Sequence, residues 1–166
     1  MRKLIIAIFC IIAFFLDSVF FSAVGLYNFR PEALIALLVS LGVLMGWAPT
    51  MAIGIGLGLL LDILCNKYVG LSALAYVGAA WAGGFFFEKY YADNLIVPSL
   101  TAAAVMFLKE HLMLFVVLLT GGRVSNYLML LVSHMLPASI LTGVLCMLFH
   151  MILRRTAFVP GRRRGA

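Results

Sequence analysis

Residues 33–64 read ALIALLVSLGVLMGWAPTMAIGIGLGLLLDIL, two apolar runs (33–47 and 50–64) parted by Gly46-Trp47-Ala48-Pro49. As one helix they would reach about 48 Å at 1.5 Å per residue, far beyond a hydrocarbon core of about 30 Å. They must therefore fold back as a hairpin. Each arm is shorter than the roughly 20 residues a span usually takes. The hairpin is thus short and thins the bilayer locally, or it is re-entrant.

Working outward, the rest of the chain has the same character. Of 166 residues, 65% are hydrophobic and 11% charged. Soluble domains carry about 45–50% apolar and about 25% charged residues, so too little charge is present here to cover a water-exposed surface. Lipid is then the solvent for most of that surface, and backbone groups must be satisfied within each segment. The runs are too long and alternate too little for barrel strands, which leaves helices.

Further runs occupy 4–24, 71–87, 97–120 and 127–153. Together they predict one transmembrane domain over 1–153, an all-α compact bundle of about six helices, followed by a basic cytoplasmic tail over 154–166. The first run has the basic start of a signal peptide, Arg2 and Lys3. Its apolar stretch runs on past Asp17, and Ser22-Ala23-Val24-Gly25 is a poor cleavage site, so a retained helix is expected. Pro31 followed by Glu32 makes a good helix start. Pro98 suits the first turn of the fifth run, and Pro137 predicts a kink in the sixth.

The formal net charge is +6. The basic residues sit at the ends of apolar runs and in the tail, a pattern of topology rather than nucleic-acid binding. With the N-terminus inside, the cytoplasmic segments hold Arg2, Lys3, Lys89, Arg154, Arg155, Arg162, Arg163 and Arg164. The outer loops hold Arg30, Lys67 and Arg123. The bias places both termini in the cytoplasm, with six spans or with four and a re-entrant pair. Arg162–Arg164 are placed to touch anionic headgroups.

Few residues carry candidate chemistry. Cys10, Cys65 and Cys146 are far apart and odd in number, which indicates neither a metal site nor a disulfide framework. No P-loop, nucleophile elbow or zinc-like histidine spacing is present, and no cofactor is expected. Gly54/Gly58 and Gly42/Gly46 are each four apart, a spacing that lets membrane helices approach closely, here most simply within the protein. Asp17 and Asp62 are expected near the headgroups, which removes most of the cost of an intramembrane carboxylate. Lys109, Glu110 and His111 lie in the middle of the fifth run and are the most expensive residues in the chain. Neighbours on a helix point about 100° apart, so the three cannot share one partner. A local Lys109–Glu110 compensation is the expected arrangement, with His134 as a further partner. The competing reading is a polar recognition point or an ion path.

Three short motifs follow one another in the middle of the chain. Phe29-Arg30-Pro31 opens the hairpin, Gly58-Leu59-Leu60-Leu61-Asp62 closes it, and Val69-Gly70-Leu71-Ser72-Ala73-Leu74 starts the next helix. In this order, over about 29–84, they resemble the rod shape-determining protein MreD family of bacteria; the terminal thirds match only in hydropathy. Val69 stands where the family usually has leucine, Cys65-Asn66-Lys67-Tyr68 is bulkier than the family's small-residue loop, and the turn at Trp47–Pro49 has no basic residue.

The resemblance implies a non-catalytic scaffold of the cell-elongation machinery in the bacterial inner membrane. It would bind MreC and support peptidoglycan synthesis and cell shape, with RodA and a class B penicillin-binding transpeptidase as further partners and MreB indirectly. It also implies a fold similar to the substrate-binding subunits of energy-coupling-factor transporters. Carried over residue by residue, Arg30, Pro31, Gly58, Asp62 and Gly70 are the expected partner-binding or structural positions. Arg30 and Asp62 would organise the outer end, where MreC would dock.

A substrate-binding subunit of a vitamin-type transporter shares the expected fold and size. It would need a ligand cavity at the outer face with converging polar groups. A membrane-embedded enzyme such as a lipid transferase would be centred on Lys109, Glu110, His111 and His134.

Overall fold

The computed structural model describes residues 2–20, 31–65, 70–87, 94–121 and 127–156. Among these, every regular element is helical. Helix α1 (Arg2–Phe15) continues into a π-helical turn, Leu16–Phe20. Then come α2 (Ala33–Met45), α3 (Trp47–Cys65), α4 (Leu71–Gly84) and α5 (Ile96–Leu119). Helix α6 (Tyr127–Leu130), a second π-helical turn (Leu131–Met135) and α7 (Leu136–Thr156) form one rod.

Three of these stretches are long and apolar enough to cross a membrane: Trp47–Leu64, Ile96–Leu119 and Tyr127–Thr156. Each of the six expected runs carries a helical segment, but α2 and α4 hold only 13 and 14 residues. At 1.5 Å per residue they reach about 20 Å, two-thirds of a hydrocarbon core.

Helix α2 is the centre of the bundle. Residues Ala33 to Val43 are all buried. It is apolar on every side, as a helix must be when no face meets solvent. α1, α3, α4, α5 and α7 pack around it. The turn between α2 and α3 is a single residue, Gly46, with φ +90°, a conformation that strains any residue with a Cβ. The expected four-residue break is shorter because Trp47, Ala48 and Pro49 join the first turn of α3. Proline fits there because its missing N–H has no helical partner in a first turn.

The glycines set the closest approaches. A Cβ on Gly58 would lie 2.5 Å from Ala73 Cα, and one on Gly54 would lie 3.2 Å from the Tyr76 carbonyl oxygen, so α3 and α4 run antiparallel. A Cβ on Gly42 would lie 2.8 Å from the Ala80 oxygen and the Gly84 nitrogen, which seats α2 backbone to backbone on α4. The four-residue spacings 42/46 and 54/58 are thus used inside the chain, three positions for contact and Gly46 for the turn.

α5 and α7 form a second antiparallel pair. The Ser99 hydroxyl donates to the Gly143 carbonyl (2.8 Å), and the Cys146 thiol to the Pro98 carbonyl (3.3 Å). The Ser40 hydroxyl and His150 Nδ1, 3.1 Å apart and buried, tie α2 to α7 at the opposite end from Ala33. Where Pro137 predicted a kink, the helix widens into the π turn Leu131–Met135 just before it. The proline lacks the N–H that would close on Ser133, and the wider turn absorbs that loss.

Candidate functional site: a polar node at the start of the central helix

The N-terminus of α2 lies about 20 Å along that helix from the Gly46 turn. Its first N–H groups have no partner within the helix and must be met by groups outside it. Asp17 meets this demand. Ala33 N–H donates to its Oδ1 (2.6 Å) and Leu34 N–H to its Oδ2 (2.8 Å). The carboxylate also sits at the positive end of the helix dipole. The π turn of α1 carries Asp17.

Glu32, just before α2, forms an ion pair with Lys109 of α5. Its backbone N–H donates to the Thr142 hydroxyl of α7 (3.2 Å), which in turn donates to the Ala138 carbonyl (2.8 Å). The Lys109 ammonium also lies 5.9 Å from the centroid of the Tyr76 ring on α4. One point therefore joins α1, α2, α4, α5 and α7. Glu32 Oε2 is buried and has no hydrogen-bond partner among the described residues.

The run Lys109-Glu110-His111 divides as helix geometry requires. Lys109 turns inward to Glu32. Glu110 turns to His134 in the second π turn, 4.0 Å away. His111 Nε2 lies 2.9 Å from the Tyr127 hydroxyl, and its Nδ1 lies 2.9 Å from the Phe107 carbonyl oxygen. The expected Lys109–Glu110 compensation is replaced by a partner 77 residues away, because only Lys109 faces the bundle interior, where Glu32 also needs a counter-charge.

A second carboxylate does similar work between α3 and α4. Asp62, fully buried, accepts hydrogen bonds from the N–H groups of Gly70 (2.8 Å), Ser72 (3.1 Å) and Ala73 (3.4 Å). Gly70 takes φ +100° to turn its N–H toward that carboxylate. The structure thus brings Gly58, Asp62 and Gly70 together at one joint. Pro31 is buried beside Glu32 at the node, and Arg30 lies outside the described residues.

Sequence reading missed Thr142, Tyr76 and Tyr127 as parts of this arrangement. It took Glu32 as a helix-start acid and as one of the few outer polar groups open to a ligand, not as the partner of Lys109. The available signal was a lone lysine in mid-run, which demands an acid elsewhere. Among the described residues, no group of three or more histidines, cysteines or acids is placed to hold a metal ion. No family model, curated protein or solved structure matches the chain.

Proposed function

We propose that this chain is a non-catalytic membrane scaffold of the MreD type. It sits in the bacterial inner membrane with both termini in the cytoplasm and binds MreC. In that role it would support peptidoglycan synthesis by RodA and a class B penicillin-binding transpeptidase, with MreB engaged indirectly. One observation carries the reading: the motif residues behind the resemblance interlock. Gly58 lies on Ala73, and Asp62 holds Gly70, Ser72 and Ala73 by their N–H groups. A G-x-x-x-D helix end followed by a Gly-led restart is thus one mechanical joint, the kind of feature a scaffold's rigidity needs.

Two further features favour the reading. The intramembrane charges Asp17, Glu32 and Lys109 are engaged with other parts of the bundle, which is what a structural role asks of them. The start of α1 and the end of α7 also lie at the same end of the bundle. Phe9 stacks edge-on against Phe149 there, while Asp17 reaches the far end of α2.

The test is co-expression of the tagged chain with MreC from the same organism and recovery in mild detergent. A stoichiometric complex that weakens in Asp62→Ala supports the scaffold. Recovery of the folded chain without MreC, carrying a vitamin-like small molecule, overturns it in favour of a transporter subunit.

A further inference from the structure

The chain holds two tryptophans, and the fold brings both to one layer at the Gly46 end of α2. Trp47 opens α3 and lies so close to Gly84 that a Cβ there would collide with it. Trp81 lies one turn before Gly84 on α4, and its carbonyl accepts the Phe85 N–H (2.9 Å). Phe87 covers Gly46, where an added Cβ would lie 3.3 Å from the ring. Phe85 and Phe86 meet edge to face, with ring centroids 5.5 Å apart. Trp47, Trp81 and Phe85 are 56%, 59% and 60% exposed, so the outer side of this layer is aromatic.

Cations share the layer. α2 and α7 run side by side in the same direction. Thr142 meets the Glu32 N–H, and eight residues further along both helices His150 meets Ser40. Arg154 and Arg155 follow His150 by four and five residues, which puts them level with Leu44 and Met45, next to the turn. Arg155 is exposed.

Exposed rings on a membrane protein face either lipid tails or headgroups. Against tails an indole N–H has no acceptor. At the headgroups, ester carbonyls and water supply one, while the body of the ring stays among the upper tails. Aromatic belts at membrane–water boundaries are built this way. A guanidinium at the same height can reach lipid phosphates.

We infer that the Gly46 end of the bundle is seated in the headgroup layer of one leaflet, with Trp47, Trp81 and Phe85 as an aromatic collar and Arg155 on the phosphates. The depth of the polar node follows from this. The start of α2 lies about 20 Å inward, two-thirds of the way through a hydrocarbon core of about 30 Å, so Asp17, Glu32 and Lys109 meet inside the core. The inference rests on membrane embedding and not on the scaffold reading.

The test is tryptophan quenching of the full chain in vesicles of phosphatidylcholine brominated either near the carbonyl end or near the methyl end of the acyl chain. The wild type, with Trp47 and Trp81 as its reporters, should lose more emission to the shallow bromines. Trp47→Phe and Trp81→Phe leave one reporter each and should both keep that order. Ile55 is exposed and lies eight residues along α3 from Trp47, about 12 Å deeper. Ile55→Trp, placed in the chain lacking both native tryptophans, should reverse the order. Stronger quenching by the deep bromines in the wild type or in either single variant would overturn the collar. So would no quenching by either lipid, or a shallow profile at Ile55→Trp.

Discussion

The hairpins α1–α2 and α3–α4 are built on one plan and differ in what their aspartates reach. In each, a helix runs out to an aspartate, and a shorter helix of 13 or 14 residues returns with its first N–H groups on that carboxylate. Asp62 lies eight residues before Gly70 and closes its own hairpin. Asp17 lies sixteen residues before Ala33, and the helix start it holds is also tied to α5 and α7 through Glu32. One aspartate thus closes its own hairpin, and the other holds the point where several helices are fastened together. The difference follows from surroundings. α2 is enclosed by five helices, whereas α3 keeps an outer face on which Ile55, Leu59 and Ile63 are exposed.

Breaking the fastened hairpin should have the largest effect. Lys109→Met leaves the Glu32 carboxylate buried without its counter-charge and should destabilise the protein by about 3–5 kcal/mol, read as thermal unfolding in detergent. Asp17→Ala comes next. It removes the acceptor for two N–H groups at the start of α2, and hydrogen bonds to a charged group are worth about 1.5–3 kcal/mol each. Amide exchange should then rise at Ala33 and Leu34 and also in α5 and α7, because the node ties them together.

The hairpin closed by Asp62 should answer more locally. Asp62→Ala should cost about 1–2 kcal/mol, as lost helix caps do, with faster exchange confined to Gly70–Ala73. Spread of that exchange into α5 would erase the distinction between the hairpins. Gly70→Ala should cost no more than Asp62→Ala. Its side chain meets no neighbour within 4 Å, so only the left-handed backbone penalty of about 1–2 kcal/mol applies.

The second hairpin was largely legible in the sequence, because its partners are near in the chain. A G-x-x-x-D end and a Gly-led restart lie within one short stretch, and the glycine spacing marked the face that α4 covers. The helical runs were legible for the same reason, since hydropathy is a local property. The first hairpin was not. Nothing near Asp17 names Ala33, and nothing near Lys109 names Glu32, because both pairings depend on how separate helices dock. Hydropathy also could not separate the enclosed α2 from the half-exposed α3, which are both apolar throughout. Trp47-Ala48-Pro49 misled as a loop, because proline breaks a helix interior but suits a first turn.

The most direct test of the central claim, that the intramembrane charges fasten the bundle, is a double-mutant cycle on Glu32 and Lys109. Glu32→Gln, Lys109→Met and the pair would be compared by unfolding in the same detergent. The account predicts that the double variant is more stable than the sum of the single losses allows by about 2 kcal/mol or more, because removing both charges leaves neither stranded. Strictly additive losses would mean that the two side chains do not hold each other, and would contradict it.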